Sequence, residues 1–455
     1  MKMWMNVMRD MEYLLADYDR ILDAWGEGGV TGLVIGPPEF NTPKVDFDKE
    51  YVPCDEPVAE SFDPNPEVYR RFGLEPPLAP EDKMPERRAL LTETLQAASD
   101  RGFEVYLWQS QVGWGPGGDG HYLFDEKTMA SYSARIIDRL EQFPMAKGTV
   151  FDSPEWGYEI HPHYNDHITS VFYEMPEVMR AGVTVLGYDF DALNAAKDRF
   201  FEKLHNLDRR QIGLHASGGF LGGLHLFGAD PDLTAWLRFR MESLTAHYRR
   251  VREGVDAETT RSIKVGIGSR TAAFAPLCGF DLAGLAEFAD FLCPKFYVFH
   301  RGFDGLVGTV NRYVETLCDW NPKLTDQDAL EVVRALFGLE LPNVHHRGDL
   351  DYALTPEFYE TVIWQETRRA LAVVDDPGKI VPWVDAGRAP HAGDPLSPGD
   401  LGRLIGAAGD AGLQRFLYHH QGNLTPGEWS VMSDICGNRW QRETSEYCPP
   451  DDFIL

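Results

Sequence analysis

Short apolar runs rich in β-branched and aromatic residues alternate along the chain with longer stretches whose apolar positions recur every three to four residues. The runs are residues 2–8 (KMWMNVM), 31–36 (TGLVIG), 103–109 (FEVYLWQ), 148–152 (GTVFD), 262–268 (SIKVGIG), 290–298 (DFLCPKFYV), 379–385 (KIVPWVD) and 413–418 (LQRFLY). Nearly continuous hydrophobicity marks strands buried on both faces, and the helical periods between them make each run the start of a βα unit. Helices are predicted near residues 13–24, 86–99, 126–142, 191–204 and 232–253, and from Pro426 onward. Eight such units predict an α/β fold, a closed (β/α)8 TIM barrel, as a single domain over residues 1–455. A doubly wound open sheet fits less well, because no glycine fingerprint follows the first strand. Two stretches interrupt the alternation: a loop insertion at 37–85, rich in Pro and acids, and a long, largely helical insertion at 153–261 after the fourth strand. Within the second, HASGGFLGGLHLFG reads as a flexible loop. Because it leaves the barrel at the C-terminal ends of the strands, this insertion is expected to form a wall or lid over a pocket there and to contribute to a contact between subunits.

In such a barrel, chemistry gathers where the strands end. The fourth run delivers Asp152 there, and Glu155 follows beside Trp156. A carboxyl group against an indole is desolvated, which favours the neutral acid that glycosidic cleavage requires. Asp385 ends the seventh run next to Trp383, across the mouth from the fourth, so these acids can form a catalytic pair. Each also has a plainer reading, as a helix cap, turn residue or salt-bridge partner. The sixth run turns Lys295 and Tyr297 to one face, and a Lys inside a barrel needs a carboxylate or a substrate to meet. Arg270, Gln109, His300, His419 and His420 are further hydrogen-bonding groups at strand ends, and Trp108, Trp114, Trp156 and Trp383 are flat surfaces for stacking a sugar. His161, His163 and His167 lie close together, but HPHYNDH reads as a polar surface loop and there is no HExxH motif, so no metal is expected. The glycine-rich QVGWGPGGDGH lacks the Lys of a phosphate cradle, and no cofactor is expected.

Composition narrows the partners. Asp and Glu number 71 against 43 Lys and Arg, a net charge of −28 that repels phosphate backbones and anionic lipid. Neither nucleic acid nor membrane is an expected partner, which leaves a small carbohydrate and room for a homo-oligomer. The six cysteines form no CxxC pair, the first residues carry no signal-like apolar core, and a cytoplasmic location with reduced thiols is expected.

The segments DSPEWG, ADFLCPKFYVFHRGFDG and VPWVDAGRAPH, in this order, resemble glycoside-hydrolase-like (β/α)8 proteins of the broad β-galactosidase-like clan. The resemblance implies a glycosidase acting on a small glycoside or oligosaccharide, with Glu155 as general acid/base and Asp385, or failing that Asp152, as the second carboxylate. In that clan the acid/base Glu usually follows an Asn and the nucleophile is a Glu. Here Pro154 precedes Glu155, and an Asp follows the seventh strand. Chitinase-like barrels, with paired acids after the fourth strand, and α-galactosidase-like barrels, with an Asp nucleophile there, are alternatives. Outside hydrolysis, the sequence admits a catalytically inactive carbohydrate-binding barrel or a metal-dependent sugar isomerase or lyase.

Overall fold

The computed structural model describes residues 1–8, 11–36, 63–77, 79, 85–109, 123–152, 154–160, 170–388, 391 and 393–450. Eight parallel strands close into a barrel in sequence order: β1 (Lys2–Val7), β2 (Val30–Ile35), β3 (Glu104–Gln109), β4 (Gly148–Phe151), β5 (Lys264–Ser269), β6 (Phe291–Phe296), β7 (Trp383–Asp385) and β8 (Arg415–His419). Closure comes from β1 pairing with both β2 and β8, with Trp4 opposite Gly32 on one side and Leu417 on the other. The strands are buried almost throughout, which is why the sequence shows runs rather than alternation.

The barrel interior is layered. Near the N-terminal ends of the strands Glu104 lies among Arg415 (3.6 Å), Lys147 (3.7 Å) and Lys264 (3.8 Å). Above it Trp4, Tyr106 and Phe291 pack with ring centroids 4.9–5.1 Å apart. Glycines facing this layer make room for the rings: a Cβ on Gly32 would lie 2.6 Å from the Trp4 indole, and one on Gly266 2.1 Å from Phe291.

The helix Pro231–Glu258 leads into β5 and packs on the helix Glu126–Gln142, so it is the barrel's own fourth helix and not part of the insertion. What is inserted lies before it. The helix after β5, Leu282–Ala286, is only 5 residues long. The helix Phe190–His205 packs between Pro231–Glu258 and Leu306–Trp320, on the flank that this short helix leaves open. Its C-terminal end is fixed by His205 stacked on Trp320 (3.8 Å) and by the Asn321 amide donating to the Leu204 carbonyl (2.7 Å). Because Trp320 ends a helix that runs back from the mouth, the inserted helix covers the barrel wall and is not a lid. The segment read as a flexible loop contains the helix Gly219–Phe227. Its glycines carry a helix penalty, but Leu226 and Phe227 are buried, Phe227 against Phe200, and Gly222 lets the backbone pass where a Cβ would lie 2.2 Å from the His215 carbonyl oxygen. Cys278, Cys293, Cys318 and Cys436 carry free thiols.

Candidate active site

Alternation along the strands carries one side chain from almost every strand end into the mouth. Even-numbered residues of β3 to β5 and odd-numbered residues of β6 to β8 point inward, which gathers Trp108, Asp152, Arg270, Lys295, Trp383, Asp385 and His419. They form two clusters.

The first lies over β4 to β6. Arg270 Nε donates to Glu155 Oε2 at 2.7 Å and to Oε1 at 2.9 Å. Its Nη1 reaches Asp304 in a short ion pair. Lys295 Nζ lies 3.0 Å from Asp304 Oδ2 and 3.3 Å from Asp152 Oδ1. The Tyr158 hydroxyl donates to Asp304 Oδ1 at 3.2 Å. Burial and the neighbouring Arg270 oppose the charge on Lys295, but Asp152, Asp304 and Glu155 outweigh them and hold its pKa above the usual lysine value. An ammonium so held is no Schiff-base nucleophile. Three carboxylates facing two cations leave the cluster with a formal excess of negative charge. The carboxylates differ in access: side-chain exposure is 27% for Asp152, 11% for Glu155, 2% for Asp385 and 1% for Asp304.

The second cluster lies over β7 and β8. Asp385 accepts the backbone N–H of Gly387 on one oxygen and lies 2.7 Å from His419 Nδ1 on the other. His391 Nδ1 stands 3.3 Å from that second oxygen. Burial would raise the Asp385 pKa, but the His391 and His419 imidazoles reverse this and hold the carboxyl well below its ordinary range. Tyr297 joins the clusters, with its ring 4.8 Å from that of His391 and 5.7 Å from Lys295 Nζ. Burial, reinforced by Asp385 and Asp152, keeps it a neutral phenol.

The other residues singled out in the sequence are placed as follows. Trp108 is half-buried at the end of β3. Trp383 is buried, with its ring 5.6 Å from Lys295 Nζ. Trp156 is turned into the wall, where its indole N–H donates to the Arg240 carbonyl at 3.0 Å. The group that meets Glu155 is therefore a guanidinium, and the desolvating indole of the sequence argument packs elsewhere. Gln109 faces outward and accepts from Arg139 at 2.9 Å, joining β3 to the helix behind it. His420 is buried edge-on to His419, and His300 is half-buried in the loop after β6. Trp114, His161, His163 and His167 lie outside the described residues.

Sequence reasoning missed Asp304 and His391. Asp304 sits in FDG after β6 with φ of 67°, a left-handed turn conformation that Asp tolerates better than most residues. Asp before Gly in a strand-end loop was the available signal. His391, six residues beyond Asp385, carried none.

No protein-family model and no curated protein matches the chain. Among solved structures it is similar to a β-galactosidase from the Antarctic haloarchaeon Halorubrum lacusprofundi, at 12% identity and a TM-score of 0.48, over 95% of this chain and 57% of that one. It is also similar to the catalytic domain of a β-amylase from Paenibacillus polymyxa (9%, 0.45, 97% of this chain and 99% of that one). A Group IV chitinase from Ostrinia furnacalis is a third (8%, 0.44, 96% and 99%). Likeness at this level says nothing about which bond this chain acts on, and the barrel is established by its own closed strand order.

Proposed function

We propose that the protein is a glycoside hydrolase that cleaves a small glycoside or oligosaccharide in the barrel mouth, with Asp152 as the carboxylate that meets the sugar. One observation carries this reading: of the four carboxylates in the described mouth, Asp152 alone has more than a quarter of its side chain open. Lys295 fixes its position. Glu155, the proposed general acid/base, lies in the same cluster and accepts hydrogen bonds on both oxygens from Arg270. The negative excess of the mouth suits the positive charge that develops on a sugar ring during glycosidic cleavage, and it disfavours anionic substrates. In this reading Asp385 is a positioning group whose oxygens are turned to Gly387, His419 and His391 rather than to a substrate.

A panel of aryl glycosides covering both anomers of the common hexoses and pentoses tests the activity. Release of the phenol by the wild-type protein is expected for at least one member. Saturable sugar binding with no turnover would replace this reading with the inactive binding barrel.

A further inference from the structure

We propose that Asp385, His391 and His419 form a binding site for a divalent transition-metal ion of the zinc class. The site lies in the mouth, and the proposal holds whichever reaction the mouth performs. The three side chains offer donor atoms that all lie within 4.8 Å of one another. Both imidazoles turn Nδ1 toward the same oxygen, Asp385 Oδ2, at 2.7 Å and 3.3 Å. In a tetrahedral site with bonds of about 2.0–2.2 Å, neighbouring donor atoms stand about 3.3 Å apart. Of the three gaps, one already has that spacing, one needs to open by about half an ångström, and the third, between the imidazole nitrogens, is no more than 4.8 Å.

Two imidazoles share one carboxylate oxygen here, an arrangement that a cation between them would complete. His391 is 4% exposed, and its Nδ1 faces Asp385 Oδ2 at 3.3 Å without the alignment of a good hydrogen bond. His419 has the complementary problem. Its Nε2 lies 3.3 Å from the Met8 sulfur while its Nδ1 faces a carboxylate oxygen. A neutral imidazole has one N–H and one lone pair, so one of these contacts sets lone pair against lone pair. With Nε2–H directed at the sulfur and Nδ1 on a metal, both are satisfied. The Gly387 N–H holds the second Asp385 oxygen, the outer support that orients a ligating carboxylate. Tyr297, Phe299 and Phe303 stand 4.8–5.6 Å from the His391 ring and form an aromatic shell. Two imidazoles and one carboxylate select zinc, iron, cobalt or nickel over magnesium or calcium, and three protein ligands leave coordination positions for a ligand oxygen.

The test is titration of chelator-treated, full-length protein with Zn²⁺ by calorimetry and with Co²⁺ by visible absorption, alongside a thermal melt. One equivalent of Zn²⁺ is expected to bind, to raise the melting temperature, and to give with Co²⁺ the intense visible band of a low-coordinate site. His391→Gln and Asp385→Asn, checked for native circular dichroism, are expected to lose the band and the thermal shift. A triple variant replacing His161, His163 and His167 by Ala is expected to keep both. Absence of stoichiometric binding to the wild type overturns the proposal. So does binding that survives His391→Gln in the folded variant, or that disappears with the 161/163/167 variant.

Discussion

Asp304 ties together the first cluster of the mouth. It accepts from Arg270, Lys295 and Tyr158 and is almost wholly buried. Removing one member of a buried ion cluster leaves the partners' charge uncompensated, at a cost of about 3–5 kcal/mol. Here Glu155 and Asp152 still face the two cations, so Asp304→Ala is expected at the lower end, about 3 kcal/mol by urea unfolding. Asp304→Asn, which keeps the turn conformation and a hydrogen-bond acceptor, is expected to lose less than half of that. A loss below about 1 kcal/mol for the Ala variant would mean that the cluster relaxes without this carboxylate. The strand-end rule made Asp152, Arg270, Lys295, Asp385 and His419 legible in the sequence, because the rule needs only strand positions and a period of two, and it flagged Glu155 only as part of the loop that follows β4. Asp304 and His391 come from loops, whose path no periodicity reports. The indole argument for Glu155 failed for a related reason: adjacency in sequence does not fix which way two neighbouring side chains turn.

At the scale of elements, the strands were readable to within a few residues, since buried parallel strands are runs bounded by loops. The glycine-rich helix Gly219–Phe227 was not, since glycine content signals flexibility unless packing at Leu226 and Phe227 is known. The long helix Pro231–Glu258 carries a further testable group. His247 is buried among its neighbours, 6.0 Å ring to ring from Tyr132, and burial lowers its pKa to about 4. The unfolded chain, with an ordinary pKa near 6.5, then binds the proton more readily than the folded one across the window between these values. Stability from this group is full above about pH 6.5 and is lost as the pH falls toward 4. Between pH 7 and pH 5 the wild type is expected to lose about 2 kcal/mol more than His247→Gln. Equal losses in the two proteins, measured by urea unfolding, would show that His247 does not titrate in this way.

At the scale of the whole molecule, the insertion's first residues, Glu155 and Tyr158, reach the mouth, while its helix Phe190–His205 covers the barrel wall. The insertion replaces cover that the short helix Leu282–Ala286 does not give, and it leaves Leu214, Phe220 and Leu221 exposed at 72%, 79% and 69%. The central claim is that Asp152, and not Asp385, meets the sugar. The most direct measurement is kcat/KM of Asp152→Asn on the best aryl glycoside, in a variant whose melting temperature stays near that of the wild type. A loss of about 10³-fold or more is expected, within the range such groups contribute to proton transfer and covalent catalysis. Retention of kcat/KM to within about tenfold in the folded variant would contradict it.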